Sequence, residues 1–150
     1  MAVIDDFKSD IRLAEGKRTA VYDDATGLPL SVGMTLRGNP TIGYGRALNK
    51  RPLSDNEIEF LLDNDASETL EWCADNLNFW GDLSATRQRA VANMVYQIGT
   101  AGFLKFHDAI DAITKQDWLS AHDHILQSAY ATQTPARAQR IANMIRDDKV

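Results

Sequence analysis

The organisation of this chain depends on residues 15–45, EGKRTAVYDDATGLPLSVGMTLRGNPTIGYG. A helical repeat of apolar residues precedes this segment and ends at Glu15. Within the segment the helical period disappears, and short apolar runs alternate with the turn-forming sequences DDATG and RGNP. The pattern predicts a first helix ending near Glu15 and then a small antiparallel sheet with strands at 20–22, 28–32 and 41–44. Such a sheet is only marginally stable alone, so we expect it to pack against helices.

Three polar residues of this segment are candidates for one wall of a catalytic cleft. Glu15 lies at the predicted junction of helix and loop, Asp24 lies in the DDATG turn, and Thr41 begins TIGYG, whose glycines allow close backbone approach. Two carboxylates facing a hydroxyl suit cleavage of a glycosidic bond, since one carboxyl can protonate the leaving oxygen while the other helps a water molecule attack. An ordinary surface hairpin with a helix-capping acid is the alternative that these residues alone leave open.

Four blocks of residues occur in an order shared with a known family. They are Leu13–Gly16 with Tyr22, Asp24 and Gly27; TIGYG at Thr41–Gly45; RQRAVANMVYQIGTAGF at Arg87–Phe103; and TQTPARAQR at Thr132–Arg140. Together they resemble the phage-type lysozymes, or endolysins, of glycoside hydrolase family 24. The resemblance implies a peptidoglycan hydrolase (muramidase) that cleaves the β-1,4 bond between N-acetylmuramic acid and N-acetylglucosamine.

The resemblance also implies a role for each candidate. Glu15 matches the family's general acid, while Asp24 and Thr41 match the residues that hold or activate the nucleophilic water. The supporting or substrate-binding residues that it implies are Arg137, which matches an arginine beside the catalytic glutamate, Tyr22 and Gly43.

Two features depart from the family pattern. The segment LPLSVGMTLRGN, residues 28–39, lengthens the connection between Asp24 and Thr41. Arg46 follows TIGYG at a position where the family commonly has a histidine.

The remainder of the chain has the apolar periodicity of helices, so the sequence predicts a mostly helical α+β fold. A capping box, Ser54 to Glu57, begins a long helix that extends to about residue 77. By resemblance, residues 1–150 form a single lysozyme-like catalytic domain. It would consist of a small sheet-bearing lobe at about 1–53, a connecting helix at about 54–77 and a larger helical lobe at about 78–150.

Two later helices have recognisable ends. Ser84 can cap a helix that ends at Gly99, a residue favoured at C-terminal caps. Pro135 after Thr134 begins another, because proline is tolerated in the first turn. The single cysteine, Cys73, excludes an internal disulfide, and we expect a free thiol in the core.

The net charge argues against a nucleic-acid-binding protein. The chain carries a formal charge of -5, with an isoelectric point near 5.1, whereas neutralising phosphates requires clustered Lys and Arg. Residues 1–80 hold eight basic and fourteen acidic residues, and residues 81–150 hold eight and seven. The second half is therefore the better suited to an anionic wall polymer.

No cofactor and no metal are predicted. The sequence has no GxxxxGK[ST] phosphate loop, and Gly43-Tyr44-Gly45 lacks the third glycine of a dinucleotide site. His122 and His124 flank Asp123, but alternate positions on a helix diverge and no HExxH motif is present. We expect both histidines at the surface.

The first sixteen residues lack a cationic start followed by an apolar core, so we expect no signal peptide. We also find no apolar run of transmembrane length in the sequence. By resemblance, the protein is made in the host cytoplasm and acts on peptidoglycan strands in the periplasm after release by a holin-like membrane permeabiliser. We expect a monomer.

Two other functions remain open at this point. A lytic transglycosylase cleaves the same bond but closes an anhydro ring, and the glutamate alone can suffice for that reaction. A catalytically silent glycan-binding or structural module could keep the fold. Retention of Glu15, Asp24 and Thr41 favours hydrolysis over both.

Overall fold

The computed structural model describes residues 2–150, which form eight α-helices, one 3-10 helix and three β-strands. The mostly helical α+β fold predicted from the sequence is confirmed. Two compact units divide the chain: the N-terminal unit, which extends to Glu59, and the C-terminal unit, Phe60–Val150. The finer lobe boundaries expected near residues 53 and 77 stay predictions.

The N-terminal unit contains the predicted first helix and a three-stranded antiparallel sheet. Its elements are α1 (Ala2–Glu15), β1 (Arg18–Asp23), β2 (Pro40–Gly43) and β3 (Arg46–Ala47), with the strands in that order across the sheet. Thr41, in the middle strand, lies opposite Tyr22 on one side and Ala47 on the other. Helix α1 ends at Glu15, as the loss of helical period predicted.

The strand predicted at residues 28–32 is wrong. This segment forms a loop with a single bridge between Pro29 and Tyr22. Two backbone hydrogen bonds flank the bridge, from Asp23 N to Leu28 O and from Leu30 N to Val21 O, both at 3.0 Å. Pro29 has no N–H to donate to a ladder. The side chains of Leu28 and Val32 are exposed, so burial does not stabilise a strand there either.

The predicted long helix is present as α2 (Asp55–Asn76), and its capping box forms. Ser54 N donates to Glu57 Oε2 at 2.8 Å, and Glu57 N donates to Ser54 Oγ at 3.4 Å. The later elements are the 3-10 helix Trp80–Asp82, α3 (Ala85–Ile98), α4 (Thr100–Phe103), α5 (His107–Thr114), α6 (Trp118–Leu126), α7 (Ala129–Gln133) and α8 (Pro135–Asp147).

The C-terminal unit has an apolar core in which α8 packs against α3 and α6. Ser84 caps α3 by accepting a hydrogen bond from Arg87 N at 3.2 Å, and Gly99 ends it with a φ of 76°, as predicted. Cys73 is a free, buried thiol, also as predicted, and burial raises its pKa to about 11. Among the helices of residues 2–150, none is both long and apolar enough to cross a membrane.

The expected surface position of His122 is wrong, because this residue is only 8% exposed. Its Nδ1 lies 2.8 Å from Asp123 Oδ1, and its Nε2 lies 3.2 Å from Arg146 Nη1 on α8. Helix α8 packs against α6 and thereby covers the face of α6 that carries His122. His124, two residues later, stays partly exposed.

Candidate active site

Glu15 is brought against the TIGYG turn of its own unit. A β-carbon added at Gly45 would lie 2.7 Å from Glu15 Oε2, so the carboxyl group lies directly against the glycine backbone. Gly45 also has a φ of 77°, a conformation that other residues rarely adopt. The backbone conformation therefore favours glycine at this position, and a larger residue would also displace the Glu15 carboxyl group. Two blocks that lie thirty residues apart in sequence meet here.

Asp24 is held by one residue, Asn39. Its Oδ1 accepts a hydrogen bond from Asn39 N at 2.6 Å, and its Oδ2 accepts one from Asn39 Nδ2 at 2.9 Å. A β-carbon at Gly38 would lie 2.0 Å from Asp24 Oδ1, so only glycine leaves room for this carboxylate. The lengthened loop, which ends at Asn39, thus supplies the binding partners of Asp24.

These hydrogen bonds favour the ionised carboxylate. The backbone N–H of Asn39 contributes most to lowering the pKa of Asp24 below its ordinary value, and the Asn39 side-chain amide contributes next. Partial desolvation opposes this effect, while the charge of Lys50 supports it. Asp24 is therefore equipped to act as a hydrogen-bond acceptor or as a base.

Thr41 lies close to the same residue but is only 2% exposed. Its hydroxyl donates to Asn39 O at 3.1 Å, and Asp24 N donates to the same carbonyl oxygen at 3.1 Å. The structure thus brings Asp24 and Thr41 together through Asn39, despite the lengthened connection between them. Because the hydroxyl hydrogen is already committed, the Thr41 oxygen can serve a further partner only as an acceptor.

Sequence reasoning missed Asp23, the residue that attaches the lengthened loop to β1. Asp23 is fully buried, and its Oδ1 accepts hydrogen bonds from Ala25 N and Gly38 N, both at 2.9 Å. Its Oδ2 accepts from Arg37 N at 2.7 Å. The Arg37 N–H is the largest cause of the lowered pKa of Asp23, against a smaller opposing effect of burial. The available signal was the acidic pair in DDATG, because consecutive Asp residues in a turn can each bind backbone amides.

Arg46, the residue that departs from the family pattern, pairs with Glu57 of the capping box. The Arg46 guanidinium donates to both carboxylate oxygens of Glu57, at 2.9 Å to Oε2, and Arg46 Nε donates to Arg51 O at 3.0 Å. This pairing, with the Ser54 amide and hydroxyl, lowers the pKa of Glu57 to about 2. Arg46 therefore ties the end of the sheet to the start of α2 within the N-terminal unit.

The three supporting residues lie in different surroundings. Tyr22 packs under the Arg18 guanidinium, which lies 4.7 Å from the centre of the ring, and Gly43 has a φ of 69°. Arg137 belongs to the C-terminal unit, where its Nε donates to Asn93 Oδ1 at 2.8 Å and it lines a cavity of about 420 Å³. The expected place of Arg137 beside Glu15 stays a prediction. In the part of the chain that the structure describes, no group of three or more His, Cys, Asp or Glu is arranged to hold a metal ion.

The chain is similar to proteins named as lysozymes. No protein-family model matches the chain. The probable T4-type lysozyme 2 of Dictyostelium discoideum is 26% identical in an alignment 160 positions long, which covers 95% of this chain and 94% of that protein. The probable T4-type lysozyme 1 of the same organism is 27% identical over 100 residues, which cover 65% of this chain and 59% of that protein.

A third similar protein is the pre-baseplate central spike protein Gp5 of Enterobacteria phage T4. It is 27% identical in an alignment 147 positions long, which covers 79% of this chain but 26% of the spike protein. The resemblance to phage-type lysozymes that the sequence blocks indicate is confirmed by these similarities.

Proposed function

We propose that this chain is a lysozyme-like peptidoglycan hydrolase, a muramidase that cleaves the β-1,4 bond between N-acetylmuramic acid and N-acetylglucosamine. Glu15 is the general acid that protonates the leaving oxygen, and Asp24 and Thr41 position the attacking water. The supporting comparison is with the two proteins named as probable T4-type lysozymes, one of which matches nearly the whole chain.

The observation that carries the proposal is the different environment of the two carboxyl groups. Asp24 accepts hydrogen bonds on both oxygens and has a lowered pKa, so it is suited to remain ionised and accept a proton from water. Glu15 is an exposed side chain against the backbone of Gly45, free to approach a substrate oxygen. A pair of carboxyl groups with separate roles is what glycoside hydrolysis requires.

The orientation of the water follows from the available lone pairs. An attacking water must direct one lone pair at the sugar carbon, so its two hydrogens are free to bind acceptors. Asp24 accepts one of them and takes the proton, and the Thr41 oxygen accepts the other because its own hydrogen is donated to Asn39 O. The contacts with Asn39 therefore leave the Asp24 carboxylate and the Thr41 oxygen available to accept the two hydrogens of the water.

The test is Glu15→Gln, which keeps the size of the side chain but removes the proton that the leaving sugar needs. We expect release of reducing ends from purified peptidoglycan to fall by about 10²–10⁴-fold, with an unchanged circular dichroism spectrum. Glu59→Gln, at another exposed glutamate of the same unit, is the matched control and should keep full activity. Wild-type turnover by Glu15→Gln would remove Glu15 from the mechanism.

A lytic transglycosylase is the second candidate, and the burial of Thr41 favours it. Closing an anhydro ring requires no attacking water, so that reaction does not depend on the nearly buried Thr41, which is 2% exposed. Mass spectrometry of the released muropeptides separates the two candidates, because hydrolysis gives hydrated ends and transglycosylation gives anhydro ends.

We further propose the biological setting of an endolysin, with a holin-like permeabiliser giving access to the wall. Turbidity of Gram-negative cells tests this part separately. Added protein should clear cells whose outer membrane has been permeabilised and should leave intact cells unaffected, whereas rapid clearing of intact cells would contradict it.

A further inference from the structure

Asn39 contacts both residues that are proposed to hold the water. Its backbone N–H and its side-chain amide bind the two oxygens of Asp24, at 2.6 and 2.9 Å. Its carbonyl oxygen accepts the Thr41 hydroxyl and the Asp24 N–H, both at 3.1 Å. With both oxygens bound, the Asp24 carboxylate cannot rotate freely about its last torsion angle.

Asn39 is itself held in place from two sides. Its side-chain Oδ1 accepts a hydrogen bond from Asn49 Nδ2 at 2.8 Å, which orients the amide so that Nδ2 faces Asp24. The two residues before it, Arg37 and Gly38, donate their backbone N–H groups to the buried carboxylate of Asp23. The position of Asn39 is thus set before any substrate binds.

We propose that Asn39 is a positioning residue of this active site, which orients the Asp24 carboxylate toward the nucleophilic water and aligns Thr41 with it. This inference rests on the proposed function. Asn39 donates one hydrogen bond to each oxygen of Asp24, which leaves the remaining lone pairs of that carboxylate available to a water. A bidentate contact adds orientation as well as stability.

The electrostatic effect of Asn39 supplies a readout that a merely structural residue would not move. The amide donors stabilise the ionised form of Asp24, which lowers its pKa. Removing the side-chain donor must therefore raise the pKa of Asp24 relative to the wild type. Because a base has to be ionised, the acid limb of the activity profile should move to higher pH. The charge of Lys50 also lowers the pKa of Asp24, but it is present in both proteins and does not contribute to the difference.

The experiment compares Asn39→Ala and Asn39→Asp with the wild type on soluble, uncross-linked glycan strands. We expect kcat to fall by about 10–100-fold for Asn39→Ala, with KM changed less than about twofold, since loss of alignment affects the reacting geometry more than binding. Asn39→Asp replaces a donor by a second carboxylate and should lower kcat further. In both variants the acid limb should move to higher pH.

The matched control is Asn56→Ala, at an exposed asparagine of α2 in the same unit. It should keep the wild-type acid limb. A second measurement needs no activity: the carbon-13 signal of the Asp24 carboxyl group, assigned with Asp24→Asn, should titrate at higher pH in Asn39→Ala than in the wild type.

The outcomes separate this inference from the proposed function. An unchanged carboxyl titration in Asn39→Ala overturns the positioning role, and so does a fall in kcat with an unmoved acid limb. If those results appear while Glu15→Gln is inactive, the hydrolase proposal stands and only the role of Asn39 is wrong. If the wild type releases no ends from any peptidoglycan, the hydrolase proposal fails and the positioning role fails with it.

Discussion

The two compact units of this protein are organised by different forces. In the C-terminal unit the buried residues are almost all apolar, among them Val91, Phe103 and Ile141. Among residues 3–59 the buried positions are Asp23 and Thr41, both polar and both hydrogen-bonded to backbone groups. One unit is therefore specified by packing and the other by a small network of hydrogen bonds.

The difference between the two units determines which of them can carry the proposed acid-base chemistry. An apolar core is stable and insensitive to pH, but it offers few groups that bind water or transfer protons. A network of carboxylates and backbone amides orients polar side chains through directional bonds, and it remains stable only while every buried polar group has a partner. The proposed site residues Glu15, Asp24 and Thr41 all belong to the unit with the network.

The largest expected effect comes from removing apolar volume in the C-terminal unit. Phe103→Ala deletes a ring that is 1% exposed, and we expect the free energy of unfolding to fall by about 3–5 kcal/mol. All three tryptophans, Trp72, Trp80 and Trp118, lie in this unit, so fluorescence during urea denaturation reports on it directly.

The matched control for that change is Leu119→Ala, at a side chain that is 62% exposed, which should shift the free energy by no more than about 0.5 kcal/mol. Equal effects of the two substitutions would mean that packing around Phe103 does not organise this unit.

The second largest effect should come from Asp23→Asn, which we expect to loosen the loop at residues 28–39 of the N-terminal unit. Asp23→Asn keeps the shape of the side chain but places an amide donor where an oxygen accepts N–H groups of Ala25, Arg37 or Gly38. We expect amide hydrogen exchange at Arg37 and Gly38 to accelerate by about tenfold or more. Unchanged exchange would show that the loop is held by other contacts.

Acid should act on the same loop in the wild-type protein. The pKa of Asp23 is lowered from 3.8 in the folded state, so its contribution to stability is present above that pH and is lost as the pH falls through the folded-state value. The protection factors of the Arg37 and Gly38 amides, which compare the exchange rate with that of an unstructured chain at the same pH, should therefore fall in acid, and in Asp23→Asn this pH dependence should be absent.

The smallest expected effect concerns the ion pair of Arg46 and Glu57. The pKa of Glu57 is lowered from 4.5 to about 2, so its contribution is present above pH 4.5 and is lost as the pH falls toward 2. Because the Glu57 side chain is 41% exposed, water screens much of the attraction. Glu57→Gln should accelerate exchange at the Ser54 amide by only about two- to fivefold at neutral pH. If exchange at Ser54 accelerated as much as exchange at Arg37 and Gly38 does in Asp23→Asn, this ion pair would be as important to the order of the unit as the buried Asp23.

Local patterns in the sequence predicted most of the helical structure. Glu15 ends α1, Ser54 and Glu57 cap α2, Ser84 caps α3 and Pro135 begins α8, because each of these signals acts within one or two turns of the backbone. The same local reasoning failed at residues 28–32, where apolar residues with high strand propensity remain exposed and a proline removes a donor.

The sequence by itself determined the helical α+β class, the helix ends and the candidate residues Glu15, Asp24 and Thr41. Only the tertiary structure revealed that Asn39 joins Asp24 to Thr41 and that Asp23 binds the loop. Asp23 and Asp24 accept hydrogen bonds from backbone amides 14 or 15 residues away, and sequence periodicity carries no information about contacts at that separation. Such contacts form only when the loop folds back on β1, where a buried carboxylate must find backbone donors to remain charged.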